Sequence, residues 1–127
     1  MLTNKDYCDY ETCVALKELG FNSLVDWYFK EDKSIASSLA RYRNTYIPRI
    51  SLYEAQKFLR EEKSIYVTVG CPLIMNEGLG WSYEVCDKPW NGHSDDDCLK
   101  ASGGAYDSYE EALSEGLRTA IKILKEK

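Results

Sequence analysis

The sequence predicts a small α+β domain that ends in a long amphipathic helix packed on an antiparallel sheet. Two capping boxes, residues 51–54 and 108–111, mark helix starts, because the serine hydroxyl accepts from the N3 amide and the glutamate reaches back. Between these helices, residues 65–69 and 81–86 alternate apolar and polar side chains and contain β-branched residues, as strands do. The glycines around residues 76–80 favour an antiparallel hairpin between them.

The chain of 127 residues has the usual length of one domain. We expect a single domain, residues 1–127, in which a helical N-terminal part (residues 1–50) packs on an α-β-β-(β)-α core (residues 51–127). A chain of this length buries roughly two-thirds of its unfolded surface and folds without a metal or disulfide. The apolar and charged fractions, 44% and 29%, are typical of globular proteins and not of disordered ones.

The first predicted helix runs from about Asp9 to Leu19. Asp9 is a suitable N-cap, because its carboxylate accepts from free amides of the first turn. Gly20 is expected as the left-handed residue that ends the helix, and Phe21 is then placed to pack back on Leu16 in a Schellman motif.

The segment after Gly20 predicts two further pieces of helix and a loop. Ser23 followed by Asp26 indicates a second, shorter helix through Trp27 and Tyr28, and residues 35–43 indicate another helical turn or two. Pro48 disfavours helix at the residue before it, so we expect a loop there.

In the core, the helix that begins at Ser51 is expected to run to about Lys63, and a short third strand is expected at residues 99–101 or 105–106. The final helix has the strongest pattern, with acidic side chains in its first turn and lysines near its end, as the helix dipole favours. Gly116 lies inside its apolar stripe and predicts close approach of a neighbouring backbone. The stripe comprises Tyr109, Ala112, Leu113, Gly116, Leu117, Ala120, Ile121 and Leu124.

Charge and composition restrict the function classes. With 21 acidic and 16 basic side chains, the net charge of −5 disfavours sequence-independent nucleic-acid binding, which requires lysine and arginine to displace counterions. The N-terminus lacks the apolar core of a signal peptide, and no apolar run approaches the ~18 residues that span a bilayer. We therefore expect a soluble, cytoplasmic protein without a membrane partner. The five cysteines form no CxxC pair and are interpreted mainly as small buried hydrophobes.

Three segments together resemble a group of small uncharacterised proteins from gut Bacteroidetes and their phages. The matching stretches are residues 10–21, 55–61 and 109–117, which cover about half of the chain in the expected order. The resemblance implies a bacterial or phage protein in a cytosolic setting. No activity is assigned to that group, so it transfers no functional residue.

One polar cluster, residues 93–98, combines a histidine, three aspartates and a cysteine. His93, Asp95 and Asp97 are weak metal-ligand candidates, but the cluster lacks EF-hand spacing and a second cysteine or histidine at zinc-site separation. A solvated loop is the favoured interpretation. The acidic neighbourhood of the only histidine also disfavours a nucleophilic cysteine, since it raises the pKa of a nearby thiol. No catalytic motif and no phosphate-binding loop is present, so we expect no enzyme and no cofactor.

Two segments are candidate binding surfaces. Residues 41–49 carry three arginines and two tyrosines without an acidic residue; Trp90 lies in a turn-rich loop, as an anchor or as a lid on the core. Arginine and aromatic residues are enriched at binding surfaces, although a connecting loop with its tyrosines on the core edge explains the same pattern. The candidates are Arg41, Tyr42, Arg43, Tyr46, Arg49 and Trp90.

The order of elements after residue 51 matches that of double-stranded-RNA-binding domains, a fold-level analogy that carries no function. Asp107, Glu110 and Glu111 stand at the start of the last helix, where they repel phosphate. The sequence therefore favours a non-enzymatic interaction domain with a protein partner and undetermined oligomeric state. The alternative is nucleic-acid or nucleotide binding through residues 41–49.

Overall fold

The computed structural model of the protein describes residues 4–22, 25–30, 32–37, 46–70, 80–87, 98–101 and 106–126. Contacts divide the chain into two compact units, Met1–Ser51 and Leu52–Lys127. Within the described residues there are three α-helices and two three-stranded antiparallel sheets, which confirms the α+β class. The expected packing of the N-terminal part on the core stays a prediction.

The N-terminal unit begins with a 3₁₀ turn, Asn4–Asp6, followed by helix α1, Tyr10–Glu18. Asp9 Oδ1 accepts from the Thr12 amide at 2.8 Å, as the N-cap prediction requires. At the other end Gly20 has φ +109°, and its amide donates to the Lys17 carbonyl. The Phe21 amide donates to the Leu16 carbonyl, so the predicted Schellman motif is confirmed.

Gly20 yields the first testable prediction, because its conformation and its surroundings point to a single cause of destabilisation. A Cβ at Gly20 would meet nothing within 4 Å, so Gly20→Ala introduces backbone strain without a clash. We expect a loss of about 1 kcal/mol in the free energy of unfolding, measured by urea denaturation. Gly20→Asn should lose less, since asparagine tolerates the left-handed region. Equal losses for the two variants would contradict this explanation.

The rest of the N-terminal unit is a small sheet, where the sequence predicts helix. Strands β1 (Trp27–Phe29), β2 (Ile35–Ser37) and β3 (Ile47–Pro48) pair in the order β2-β1-β3. The second helix is therefore wrong at residues 27–28, and the helical turn is wrong at residues 35–37; residues 23–24 and 38–43 lie outside the described residues. Aromatic residues lose side-chain freedom in a helix and pack well in a sheet, so pairing with distant strands outweighs the local capping signal.

Strand β3 lies where the sequence predicts a loop. Residues in and before α1 form hydrogen bonds with the residues on either side of this strand. The Cys8 amide donates to the Ile50 carbonyl at 2.9 Å, and Lys17 Nζ donates to the Tyr46 carbonyl at 2.9 Å. Helix α1 packs beside this strand. A proline is tolerated here because β3 has only two residues and lies at the edge of its sheet.

The C-terminal unit contains helix α2 (Leu52–Lys63), strands β4 (Tyr66–Gly70), β5 (Ser82–Cys86) and β6 (Cys98–Ala101), and helix α3 (Tyr109–Lys125). Antiparallel pairing in the order β4-β5-β6 confirms the predicted hairpin. The short third strand is also confirmed, and the alternative position contributes as well, because Tyr106 forms an isolated bridge with Trp81. The predicted turn glycines up to residue 79 lie outside the described residues.

Helix α3 begins as predicted at a serine cap. Ser108 Oγ accepts from the Glu111 amide at 3.1 Å. The Glu111 carboxylate accepts from the Asp107 amide at 3.4 Å, one residue earlier than a standard capping box. The helix packs on β4 and β5 and against α2. Its buried residues are Ala112, Leu113, Gly116, Leu117, Ala120 and Ile121.

Gly116 is a point of close contact between α3 and the sheet. A Cβ built there would lie 2.7 Å from Val67 Cγ1 and 3.1 Å from both Cβ and Cγ of Tyr83. Side chains of β4 and β5 therefore approach the glycine, whereas the sequence predicts a backbone there. Tyr83 is buried and its hydroxyl hydrogen-bonds to Thr119 Oγ1 at 2.9 Å, one turn further along α3.

Helix α2 runs beside β4, an edge strand of its sheet. Gln56, on this helix, extends its side-chain amide toward the strand. Gln56 Nε2 donates to the Val67 carbonyl at 2.6 Å. A helix side chain thus occupies a main-chain acceptor of the edge strand.

Candidate interaction surface

One face of the N-terminal sheet carries large apolar side chains that are exposed. The register pairs Phe29 with Ile35 and Trp27 with Ser37, so Trp27, Phe29 and Ile35 share this face. Trp27 is 41% exposed and Ile35 is 45% exposed. Residues of the opposite face, Tyr28 and Ala36, are buried. The exposed side chains are therefore not the core face of this sheet.

Phe29 lies on the same face as Trp27 but is buried, since α1 covers it. The Tyr10 ring packs edge-on against Phe29 with centroids 5.3 Å apart. Lys33 Nζ stands 5.0 Å from the centroid of Tyr10 and 4.0 Å from Glu11 Oε1. Beside Trp27, this face is therefore covered by the Tyr10 ring, and the Lys33 ammonium group lies over that ring.

Arg49 contacts Trp27 through its main chain, and its side chain contacts the ring of Tyr7. The Arg49 amide donates to the Trp27 carbonyl at 2.9 Å, which continues the β1–β3 pairing by one residue. The Arg49 guanidinium lies 4.0 Å from the centroid of the Tyr7 ring, a cation–π contact. We call Tyr7, Tyr10, Trp27, Ile35 and Arg49 the Trp27 surface.

Charge is divided unevenly between the two units. Residues 1–51 contain seven acidic and seven basic side chains, whereas residues 52–127 contain fourteen acidic and nine basic ones. The whole net charge of −5 therefore belongs to the C-terminal unit. The unit that carries the Trp27 surface is neutral, so its summed charge provides neither attraction nor repulsion for a polyanion.

The predicted binding residues are only partly within the described chain. Arg41, Tyr42, Arg43 and Trp90 lie outside it, as do the weak metal candidates His93, Asp95 and Asp97. Arg49 lies on the Trp27 surface, and half-buried Tyr46 presents its carbonyl to Lys17.

Trp27 and Ile35 were missed as surface residues because the sequence pattern assigned both to helices. The signal that identifies Trp27 is the run of three aromatic residues at positions 27–29, whereas the sequence around Ile35 carries no such signal. Successive side chains of a strand point to opposite faces, so such a run in a strand sends aromatic side chains to both sides.

Two kinds of site receive no support from the described part of the chain. Across residues 4–126, excluding the segments not described, no three or more histidine, cysteine, aspartate or glutamate side chains are grouped to hold a metal ion. Among the three described α-helices, none is long and apolar enough to cross a membrane.

Comparison with protein-family models, with curated proteins and with solved structures finds no match to this chain. Function is therefore inferred from the residues and their arrangement.

Proposed function

We propose that this chain is a non-enzymatic interaction domain that binds a protein partner through the Trp27 surface. The observation that supports the proposal is the exposure of Trp27 and Ile35 on one face of a sheet, with Arg49 beside them. Tryptophan, tyrosine and arginine dominate the binding energy of protein interfaces because they bury large areas and retain a polar group for orientation.

The chemistry of this surface favours a protein over a polyanion. Its apolar side chains need a partner that removes them from water, and Lys33 and Arg49 beside it already face aromatic rings. Phosphate binding would require several uncommitted lysine or arginine groups on the same face. In line with the resemblance in sequence, we also propose a bacterial or phage origin and a cytoplasmic location.

The experiment uses a photo-crosslinking amino acid at position 37, opposite Trp27, and at position 99 as the control. Partners that crosslink at 37 and not at 99 are identified by mass spectrometry and purified. Their affinity for the wild-type chain is then compared with that for Trp27→Ala and Ile35→Ala. Loss of a central aromatic anchor weakens binding by at least about 30-fold.

The matched controls are Tyr53→Ala and Leu99→Ala, which truncate side chains that are 43% and 40% exposed in the other unit. Both should bind as the wild type does, and all four variants should keep their melting temperatures within a few degrees. Equal affinity of Trp27→Ala and wild type for every crosslinked partner would show that the Trp27 surface is not the interface.

Nucleic-acid or nucleotide binding through Arg41, Arg43 and Arg49 is the second candidate function. Its support is the arginine–tyrosine composition of residues 41–49. It predicts that single-stranded oligonucleotides bind at low salt and that the affinity falls steeply between 50 and 200 mM salt, by roughly tenfold or more for a few phosphate contacts. An Arg49→Ala variant should reduce the salt dependence. Absence of binding at 50 mM salt would exclude this function.

A further inference from the structure

Cys8 and Cys13 lie at the start of α1, at two positions where side chains commonly contact each other. Asp9 is the N-cap, so Cys8 is the residue before the cap and Cys13 is the fourth residue of the helix. In many helices apolar side chains at these two positions pack together as a hydrophobic staple. Here both are reduced thiols, and both are buried, with exposures of 3% and 0%.

Hydrogen bonds surround the two sulfur atoms on several sides. Cys13 Sγ lies 3.8 Å from the Cys8 carbonyl oxygen, to which its S–H donates. The Ile50 amide donates to Cys13 Sγ at 3.4 Å. Cys8 Sγ lies 3.9 Å from the Ser51 carbonyl. Since Cys8 has one S–H, it donates either to that carbonyl or to the sulfur of Cys13.

The surroundings of Cys13 favour its ionised form. The pKa of the Cys13 thiol is lowered, chiefly because Cys8 hydrogen-bonds to it. The Ile50 amide and the Arg49 charge lower the pKa further, against burial and the Asp9 carboxylate, which raise it. A thiolate is the nucleophile of thiol–disulfide exchange, so Cys13 is the attacking group of the pair.

We propose that Cys8 and Cys13 form a reversible dithiol–disulfide site that is oxidised by a low-molecular-weight disulfide such as oxidised glutathione. The Cys13 thiolate attacks one sulfur of the disulfide, forms a mixed disulfide and releases one glutathione thiolate. The Cys8 sulfur then attacks Cys13 Sγ, loses its proton and releases the second glutathione as thiol. Two thiols and one disulfide thus become one protein disulfide and two glutathione thiols.

Burial of both sulfurs determines how this reaction proceeds. Neither thiol meets a reagent in the closed structure, so each reaction waits for a local opening of the segment around residues 8–13. Once Cys13 carries glutathione, Cys8 is the adjacent sulfur and closes the ring. The mixed disulfide should therefore not accumulate.

Oxidation changes how this segment is held to the end of the N-terminal unit. Cys8 loses its S–H and can no longer donate to the Ser51 carbonyl or to Cys13 Sγ. Cys13 Sγ becomes a disulfide sulfur, which accepts more weakly from the Ile50 amide than a thiolate does. The disulfide form should therefore exchange the Ile50 amide hydrogen several-fold faster than the reduced form.

The test treats the folded full-length chain with oxidised glutathione, alkylates the remaining thiols in denaturant and digests with trypsin. Cleavage after Lys5 and Lys17 yields the peptide 6–17, which contains Cys8, Cys13 and no other cysteine. We expect this peptide to be about 2 Da lighter than its unalkylated dithiol form, because one internal disulfide has formed. Treatment with dithiothreitol before alkylation should restore both thiols. The Cys86→Ser variant, which lacks a buried thiol of the other unit, should behave identically.

Cys8→Ala should leave Cys13 either unmodified or carrying glutathione, with no internal disulfide. Cys13→Ala should slow every reaction at Cys8, because the group with the lowered pKa is gone. The site would be disproved by a peptide 6–17 that stays reduced in the folded chain while it oxidises in urea. A stable glutathione adduct on wild-type Cys13 would equally overturn the proposal, since it would show that Cys8 does not reach it.

Discussion

Replacing Gly116 with alanine is expected to destabilise the protein, although alanine is the better helix former. In an open helix the exchange gains about 1 kcal/mol. In α3, however, the new Cβ would lie 2.7 Å from Val67 Cγ1 and 3.1 Å from two atoms of Tyr83. Overpacking a close-packed site costs about 1–3 kcal/mol, and here β-sheet side chains must move against their own neighbours. We expect the free energy of unfolding, from urea titration, to fall by about 1–2 kcal/mol.

Gly70→Ala is the matched control for this variant. Gly70 lies in the same unit, has an ordinary φ, and a Cβ there would meet nothing within 4 Å. Its stability should change by less than about 0.5 kcal/mol. Shortening Val67 to alanine removes the closest atom, so the double variant Val67→Ala/Gly116→Ala should lose less than the sum of the two single losses. Additive losses, or a stable Gly116→Ala variant, would show that the helix moves away from the sheet at little cost.

Tyr83→Ala is expected to have the largest effect on stability of any change considered. Its ring is 6% exposed and contacts the position of Gly116, so truncation leaves a cavity between β5 and α3. Removing a buried aromatic ring costs about 3–5 kcal/mol. That is a large part of the stability of a domain of this size, and the variant should melt well below the wild type in differential scanning calorimetry.

Tyr83→Phe separates the ring from its hydroxyl. The Tyr83 hydroxyl is hydrogen-bonded to Thr119, whose own hydroxyl also donates to the Glu115 carbonyl at 2.9 Å. Thr119 therefore keeps a partner when the tyrosine hydroxyl is removed, and the loss should stay near 1 kcal/mol. A Phe variant as unstable as the Ala variant would mean that the hydroxyl, and not the ring, holds α3 on the sheet.

The C-terminal unit was predictable because its signals are local and agree with its tertiary contacts. Ser108 caps α3, the alternating residues of β4 and β5 form the hairpin, and the apolar stripe of α3 is buried. Each of these sequence patterns predicts both the type of secondary structure and the face that it buries. The identity of the groups near Gly116 was not predictable. A glycine in a helix indicates close packing, whether the neighbouring atoms belong to strand side chains or to a strand backbone.

The N-terminal unit was predictable only as far as α1. Asp9, Gly20 and Phe21 carry the capping chemistry of that helix in the sequence itself. Strands of two or three residues are too short to show a period, so β1–β3 depend on pairings between distant segments. The exposure of Trp27 follows from those pairings. The candidate surface therefore required the structure.

The hydrogen bond from Gln56 to the Val67 carbonyl has a consequence for the protein in concentrated solution. An edge strand with free main-chain groups recruits strands from other molecules, and this is the first step of fibrillar aggregation. Residues 65–69, with four β-branched side chains and no charge, are the kind of segment that assembles in this way. By occupying an acceptor of that strand, a single glutamine on a helix opposes self-assembly without adding a charge or a proline to the sheet.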